Sequence, residues 1–594
     1  MFTSPISSDP FYSSYSQSFL PGRFVLDHVN STIVKGEARE PLTTAARLDG
    51  YDMVWAVTQD SLNAQFEYLQ LSNILPSSLR LGNLQADGLA IGGDGNDCAT
   101  LAPPFIDFDT GLPRLARLTL VLTGGTVSFY QGYGPSAPVV KQSLVGWKLA
   151  FLVQLSLTET EPGLPGAALT KALRTRLDAV DTSQFSIGRI VLDFGASDLS
   201  RHDLSGSNLP SSNSFLKQAF VTALAGWVRA QAGATNPFVL GYPLTRKWPS
   251  EAPDAAFEPT GANLSTCRSG KPTELDAIGS LNFLLLTGKR KMSDSPALYA
   301  PEAGNFARPL VRTPGIDARG LIAREVFLQR YVKPLLVDPL QAAIGALPDY
   351  LHARMDRWRD MNRRELINTK TGVAADLANG LRAGFVPTPS GWILSDHVKL
   401  SWHESGAHSH DRSSEQLLQY TVDLSTQADA AGVARLTLDI AGVLMRHECD
   451  QVNQDFPFKH DVYMGKGWAR VTLGWRIRVQ FVPGADGRLV LTCSCSQDAP
   501  LQESGSGGVY VLAELYANLF NQHTIVDDWE HNSAGMAALA ASVVGQLVAG
   551  SDTVFERAML PVLLAARPEM ACQDIQLNQD GDIEIDFTCC AQDD

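Results

Sequence analysis

The sequence predicts an α+β fold with strongly curved antiparallel β-sheets and a few long amphipathic helices. Runs of β-branched and aromatic residues, separated by Gly/Pro turns, outnumber the helical patterns. One run, residues 147–157, is long for an ordinary strand, which indicates an extended, curved sheet. The sequence does not repeat the strand–helix alternation typical of a parallel sheet, so antiparallel pairing is the better prediction.

The composition is that of an acidic globular protein. The chain has 594 residues, with 48 Lys and Arg against 63 Asp and Glu, and a net charge of −15. A protein that binds phosphate backbones usually carries a net basic domain, so no nucleic-acid partner is expected. The hydrophobic residues make up 44% and the charged residues 19%, a balance that excludes a disordered acidic chain.

Two helices are predicted in the first half of the chain. The first starts near Gly50 and ends at Leu75-Pro76, because proline cannot continue a helix. The second runs through residues 214–231. Their apolar stripes recur at helical spacing: Tyr51, Trp55, Leu62, Phe66 and Leu69 in the first, and Leu216, Phe220, Ala223, Leu224 and Trp227 in the second. Strands are predicted around them at residues 118–122, 127–130, 147–157, 187–194 and 281–286.

The second half repeats this pattern with more strands. A helix is predicted near residues 320–346, then a strand-rich block over 391–498 that includes a hairpin at 478–494. A further helix is expected at about 509–521. A closing hairpin pairs Ile575 and Leu577 with Ile583 and Ile585.

These elements predict three parts. Residues 1–45 form an N-terminal arm or loop, 46–315 a first α+β unit, and 316–594 a second α+β unit with C-terminal helices and the hairpin. Two elongated units with long strands account for a length at which four ordinary domains would otherwise be expected.

Motifs for metal binding or catalysis are incomplete. Residues 92–98 match one copy of a calcium repeat that binds only when stacked, and a turn explains them better. His403-Glu404 begins like a zinc-protease motif, but Ala407 stands where the second histidine belongs. We therefore interpret the histidines His397, His403, His408 and His410 as loop residues exposed to solvent. No catalytic residue, metal site or cofactor is predicted, and the protein is not expected to be an enzyme.

The predicted compartment is the cytoplasm. Release from the cell without a classical signal peptide is an alternative that this prediction leaves open. The eight cysteines lack C-x-x-C spacing and are expected to be reduced. The first residues have neither the basic nor the apolar region of a secretory signal. Residues 531–551 carry no charged side chain, but their hydrophobicity is weak for a membrane span, so a buried helix is predicted.

A basic run near residue 360 contrasts with the acidic total. As a helix it would combine an apolar stripe with cations, a pattern that can rest on anionic lipid headgroups. The alternative is a solvated helix face packed on the body of the protein. The candidate membrane-surface residues are Arg354, Arg357, Trp358, Arg363 and Arg364.

Three segments carry a resemblance to a known family. They are DGYDMVWA at residues 49–56, Gly241-Tyr242, and LNFLLLTG at 281–288. In this order, over roughly residues 45–500, the chain resembles the OrfX-type accessory proteins of botulinum neurotoxin gene clusters, which include a forty-seven-kilodalton protein. The resemblance implies the tubular lipid-binding (TULIP) superfamily, in which a strongly curved antiparallel sheet wraps a long helix, usually around an apolar groove. It implies lipid binding or accessory roles around toxins, and no catalytic residues.

The leading functional prediction is a non-catalytic binding protein for a lipid or another apolar small molecule. Anionic membrane surfaces and proteins of a toxin cluster are its further candidate partners. The alternative is a protein-interaction scaffold or toxin-complex component with a filled groove and no lipid. The residues predicted to line the groove are Trp55, Leu62, Phe66, Phe220, Leu224 and Trp227.

Overall fold

β-Strands form most of the chain that the structure describes. The strands are Met53–Thr58 (β1), Ser78–Leu79 (β2), Leu89–Ile91 (β3), Ala99–Leu101 (β4), Phe105–Asp107 (β5), Leu115–Gly124 (β6), Thr126–Tyr130 (β7), Val139–Ser143 (β8), Lys148–Glu159 (β9), Phe185–Asp193 (β10), Val239–Arg246 (β11), Pro259–Arg268 (β12), Gly279–Thr287 (β13), Ala318–Ile322 (β14), Val386–Thr388 (β15), Gly391–Gly406 (β16), His410–Ala428 (β17), Ala434–Phe456 (β18), Lys459–Pro483 (β19), Leu489–Val509 (β20), Val562–Leu564 (β21), Met570–Leu577 (β22) and Ile583–Cys589 (β23). The helices are Gln59–Leu71 (α1), Leu84–Asp87 (α2), Lys171–Asp178 (α3), Ser214–Ala230 (α4) and a π-helix, Glu325–Val332.

The computed structural model describes residues 48–92, 98–131, 137–159, 169–195, 197, 199, 203–231, 236–247, 256–268, 277–292, 310–311, 314–334, 384–406, 410–428, 434–456, 459–484, 489–509, 562–565, 570–578 and 580–589. The predicted N-terminal arm, the basic run near residue 360 and the stretch 531–551 lie outside these ranges.

A six-stranded antiparallel sheet lies at the centre, in the order β12-β13-β1-β14-β23-β22. Strand β1 pairs with β13 on one side and β14 on the other, so that Met53 stands opposite both Leu285 and Ile322. Every residue of β1 and of β13 is buried. Alternate side chains of a strand point to opposite faces, so both faces of this part of the sheet are covered.

The two faces of the central sheet enter different apolar clusters. Met53, Trp55 and Val57 belong to the main core of the protein. Val54 and Ala56, on the opposite face, pack in a smaller cluster that includes Leu284, Leu286, Leu310 and Leu321. The continuous apolar sequence of β1 is therefore that of a strand buried on both sides.

This burial explains why the predicted start of the first helix is wrong. Trp55 lies on a strand, and α1 begins only at Gln59. Thr58 caps the helix, because its Oγ1 accepts a hydrogen bond from the Ser61 amide at 3.2 Å. Tyr51 and Trp55 precede Leu62 at helical spacing, which favoured a helix. A strand that is buried on both faces lacks the alternation of apolar and polar residues by which a strand is usually recognised.

A second sheet is built on the long strands β6, β9, β10 and β11. Its order is β2-β4-β6-β9-β10-β11-β21, with β5 paired to β6, while β3, β7 and β8 form a small separate sheet. The long strands predicted at 118–122, 147–157 and 187–194 are thereby confirmed. Helices α1 and α4 pack in the core through aromatic pairs: Phe66 contacts Phe238 with ring centroids 6.4 Å apart, and Phe220 contacts Trp147 at 4.8 Å.

The third sheet confirms the strand-rich block predicted after residue 391. Strands β15 to β20 follow one another in sequence order as an antiparallel meander that curls as a half-barrel. The strands β16 to β20 have 16 to 25 residues, and the predicted hairpin at 478–494 joins β19 to β20. One buried row crosses the sheet where aligned residues face the core: Leu394, Val422, Ile440 and Ile477.

Long amphipathic helices are not found in the described part of the chain. The longest helix there is α4, with 17 residues. The helix predicted at 320–346 begins instead as strand β14 and continues as the π-helix Glu325–Val332, beyond which the structure describes only two residues. Val509, predicted to open a helix, ends strand β20. The described protein is mostly β.

Strands from both predicted α+β units share the same sheets. The central sheet combines β1, β12 and β13 with β14, β22 and β23, and β21 joins the second sheet beside β11. From Ala46 to Asp594 the chain forms one compact unit by its contacts. The predicted division at residue 315 stays a prediction, but strands from before and after this residue pair with each other in two sheets.

The C-terminal hairpin of β22 and β23 connects the central sheet to the third sheet. Its predicted register is confirmed, with Ile575 opposite Ile585 and Leu577 opposite Ile583. The Leu577 amide donates to Thr426 Oγ1 of β17 at 3.2 Å. At the hairpin turn, Gly581 has a positive φ of 79°, and a Cβ there would overlap the indole of Trp392. Only glycine lets the turn approach this closely.

Asp582, beside this turn, is a buried carboxylate with a perturbed pKa. Its Oδ1 accepts the Arg324 amide at 2.9 Å. The pKa of Asp582 is raised to about 6, chiefly by burial and also by the charge of Asp580, against the lowering effects of the Arg324 amide and guanidinium and of Asn578. Burial also raises the pKa of Asp423 and Asp574. Burial thus shifts the pKa of all three carboxyl groups in the same direction.

Replacement of Phe587 tests how far the fold depends on its last strand. The side chain is buried and lies against Trp55 with ring centroids 4.9 Å apart. We expect Phe587→Ala to lower the free energy of unfolding by about 3–5 kcal/mol, measured by urea denaturation, because it leaves a cavity in the main core. Phe215→Ala, at a residue 72% exposed, should change it by less than about 0.5 kcal/mol. Equal effects would contradict this account of β23.

The raised pKa of Asp582 predicts a stability that falls as the pH rises. Its folded pKa of about 6 lies above an unfolded value of about 3.9, so its stabilising contribution is complete below about pH 4 and is lost as the pH passes 6. The loss of this contribution lowers the free energy of unfolding by at most about 3 kcal/mol between pH 4 and 7. Asp582→Asn should flatten the dependence in urea titrations, whereas Asp178→Asn, at an exposed position, should not. An unchanged slope in Asp582→Asn would refute the assignment.

Candidate functional site

A cleft of about 370 Å³ opens where three helices meet the second sheet. The C-terminal ends of α1 and α4 form two of its sides, α3 forms a third, and β11 with the residue after β21 closes it. Its lining residues are Leu69, Asn73, Ile74, Pro76, Ser78, Leu169, Leu173, Trp227, Gln231, Asn236, Pro237, Val239, Tyr242 and Ala565.

The walls of the cleft are uncharged. None of these described lining residues is an Asp, Glu, Lys or Arg, although such residues make up 19% of the whole sequence. Leu69 and Leu173 belong to the main core, and Ile74, Leu169 and Trp227 are partly buried beside it. An apolar chain that binds against these side chains would exchange contact with water for contact with aliphatic and aromatic groups.

Polar groups are held in place around the apolar wall. Asn236 is buried, its Nδ2 donates to the Leu192 carbonyl at 2.8 Å, and its Oδ1 accepts the Phe238 amide at 2.9 Å. Asn73 follows α1 in a left-handed conformation, with φ of 57°, and turns the chain so that Ile74 reaches the cleft. The cleft thus combines aliphatic and aromatic side chains with fixed amide groups, as expected for a ligand with one apolar and one polar part.

Tyr242 in the wall is paired with a buried cation. The register of β10 and β11 matches Ile187 with Leu244 and Ile190 with Gly241, which places Arg189 opposite Tyr242. Burial raises the pKa of Tyr242 to about 12, against the lowering effect of the Arg189 charge. Burial also lowers the pKa of Arg189, but a guanidinium keeps its proton in proteins. Arg189 Nη2 donates to the Asn236 carbonyl at 3.3 Å, directly behind the cleft.

One of the six predicted groove residues, Trp227, lines this cleft. The other five are at most 2% exposed and fill the main core: Trp55, Leu62, Phe66, Phe220 and Leu224. Leu62 and Phe66 lie on the same helix as Leu69, but about two turns and one turn before it, respectively. A role of these five residues in ligand binding stays a prediction.

Other predicted sites fall on strands or outside the described residues. The loop predicted for the histidines is wrong in part, since His397 and His403 lie within β16 and His410 opens β17. Gly406 pairs with His410, so the strands run on to the hairpin end. His408, the residues 93–97 of the calcium-like repeat, and the membrane-surface candidates Arg354, Arg357, Trp358, Arg363 and Arg364 are not among the residues described. Within the described ranges, no three His, Cys, Asp or Glu side chains are grouped to hold a metal.

Sequence patterns missed most of the cleft. Leu69 belonged to the predicted first stripe, and Tyr242 to the segment of family resemblance. No sequence pattern identified Arg189 as a neighbour of the cleft, because a single arginine in an apolar strand has many explanations. Asn73, Ile74, Leu173 and Gln231 lie at the ends of three separate helices, so only tertiary structure brings them together.

The chain is similar to P47 of Clostridium botulinum. P47 from strain A2 matches with a TM-score of 0.41 and 11% identity, over 92% of this chain and 98% of that one. P47 of Clostridium botulinum E1 matches with a TM-score of 0.43 and 11% identity, over 91% and 99%. A lipopolysaccharide binding protein matches with a TM-score of 0.23 and 9% identity, over 91% and 99%. The family resemblance seen in the sequence is confirmed as a similarity.

These similarities assign neither a ligand nor a partner to this chain, given the low identities and TM-scores. No family model and no curated protein matches the sequence. None of the described helices is long and apolar enough to cross a membrane.

Proposed function

We propose that the protein is a non-catalytic binding protein that holds a lipid or another amphiphile with a single apolar chain. The observation that carries this proposal is the uncharged cleft of about 370 Å³ beside the main core. Its volume lies within the range of about 300–1,000 Å³ that small-molecule pockets occupy.

The chemistry of the cleft supports an apolar chain as the main binding element. Leu69, Ile74, Leu173 and Trp227 contribute aliphatic and aromatic groups to a lining whose polar part comes from uncharged groups. Each methylene that leaves water against such a surface contributes about 0.8 kcal/mol. Burial of half a dozen methylenes contributes about 5 kcal/mol, of which part offsets the entropy lost on binding.

The curled third sheet and the helices packed on the second sheet support a TULIP-like arrangement as part of this proposal. An accessory role around a toxin, and action at anionic membranes through Arg357 and Trp358, belong to the same proposal. A basic amphipathic helix adds electrostatic attraction to the burial of its apolar face in a lipid surface.

A protein-interaction scaffold without lipid is the second candidate. Five of the six predicted groove residues pack as a closed core, which is what a filled groove requires. In that case the protein should co-purify with a product of a neighbouring gene and should bind no amphiphile. The two candidates are separated by whether the cleft takes up a ligand.

A bulky side chain at Ile74 should block the cleft. Ile74 is partly buried in the wall, so an indole there occupies space that an apolar chain would need. We expect Ile74→Trp to weaken the binding of a fluorescent fatty-acid analogue about tenfold or more, since the loss of two methylene contacts is worth about 1.6 kcal/mol. The measurement is a fluorescence titration of the full chain.

Leu71→Trp is the matched control for this blocking variant. Leu71 lies three residues away, is 76% exposed and does not line the cleft, so the same substitution there should leave the affinity unchanged. If both variants bind the analogue like the unmodified protein, the ligand does not occupy this cleft. If the unmodified protein binds none, the scaffold is the better account.

A further inference from the structure

The polar residues of the cleft wall indicate which head group its ligand carries. Five of the fourteen described lining residues have an uncharged polar side chain: Asn73, Ser78, Gln231, Asn236 and Tyr242. We propose that the cleft selects single-chain amphiphiles whose head group is a neutral polyol, such as a sugar, over amphiphiles with an anionic head group. This inference rests on the proposed function, because it names the ligand class of the same cleft.

The donors and acceptors of the wall match hydroxyl groups. The amides of Asn73 and Gln231 each carry an NH₂ donor and a carbonyl acceptor, and the Ser78 hydroxyl both donates and accepts. The hydroxyl groups of a sugar also donate and accept, so several of them can satisfy both halves of an amide. An ionised carboxylate only accepts, and it would leave the amide oxygens without a donor.

Three of these side chains have capacity for a ligand. Asn73 and Ser78 are exposed, and no hydrogen bond joins the amide of Asn73 or the hydroxyl of Ser78 to another residue in the part of the chain that the structure describes. Gln231 Nε2 donates to the Trp227 carbonyl at 3.5 Å, which is long for a hydrogen bond. Ligand hydroxyl groups can therefore bind here without breaking a short contact within the protein.

Trp227 places an apolar surface beside the amide of Gln231. It is partly buried and lines the cleft four residues before Gln231, the residue that caps α4. Residues four apart lie on the same face of a helix. A sugar ring carries C–H groups on its faces and hydroxyl groups at its rim, so it can pack on the indole while it hydrogen-bonds to the amide.

The charges of the protein disfavour an anionic head group in the cleft. None of the described lining residues carries a charge that could compensate an anion, and an ion that leaves water without such a partner binds at a large cost. Arg189, the cation behind the wall, does not line the cleft, and its Nη2 donates to the Asn236 carbonyl. The chain as a whole carries −15, which repels anions at longer range.

Head-group selection can be measured with octyl glucoside, octanol and octanoate, which share one eight-carbon chain. Each is titrated against the full chain in competition with the fluorescent fatty-acid analogue, below the concentration at which it forms micelles. We expect octyl glucoside to bind about tenfold more tightly than octanol or octanoate. Methyl glucoside distinguishes a free sugar from a glycolipid as the source of the head group. It should bind at least about a hundredfold more weakly than octyl glucoside, because it lacks seven methylenes.

Two variants remove amide groups from the wall. Gln231→Leu and Asn73→Gly should each weaken octyl glucoside about three- to tenfold without weakening octanol, because each removes a hydrogen-bonding group. Glycine at position 73 keeps the turn, since it adopts the positive φ of 57° without strain. Gln218→Leu is the matched control, because Gln218 is exposed on α4 and does not line the cleft. Thermal unfolding of each variant verifies that it is folded.

The outcomes separate this inference from the function on which it rests. If octyl glucoside displaces the analogue no better than octanol or octanoate, or if both folded variants keep the full preference, polyol selection is overturned and the proposed function stands. If methyl glucoside binds as tightly as octyl glucoside, polyol selection stands and the binding of an apolar chain is overturned. If the unmodified protein binds neither the analogue nor any of the four compounds, both are overturned.

Discussion

Burial of strands β1 and β13 on both faces is the constraint on which the rest of the described fold depends. Two adjacent strands without exposed residues need apolar cover above and below, and the chain provides it with a main core and a smaller opposite cluster. Polar groups in this region are paired: Asp52 accepts the Thr287 amide at 2.7 Å and the Arg290 guanidinium at 2.6 Å. A buried carboxylate without these donors would be strongly destabilising.

This constraint also positions the cleft. Helix α1 follows β1 without a linker, so the buried strand fixes the direction in which the helix leaves the sheet. Its first two turns bury Leu62 and Phe66 in the core, and Leu69 and the Asn73 turn at its end line the cleft. The cleft forms at the edge of the main core, where residues of α1, α3 and α4 and of the segments next to them line it together with β11.

The same arrangement separates two kinds of apolar residue that look alike in sequence. Phe66 and Phe220 pack edge-on against other aromatic rings, and such contacts stabilise the fold. Trp227 keeps one part of its indole in the core and another in the cleft, so it can contact a ligand. Function therefore depends on a few residues at the edge of the core.

The strand-rich character, the long strands, helix α4 and the closing hairpin could be predicted from the amino-acid sequence, because they follow from local apolar periodicity and turn residues. Sequence periodicity placed Trp55 in a helix, because a strand that is covered on both faces does not alternate between apolar and polar residues. Two features appear only in the folded protein: strands from both ends of the described chain share one sheet, and Arg189 stands opposite Tyr242. Pairing between strands far apart in sequence depends on how the core closes, and no local pattern records that.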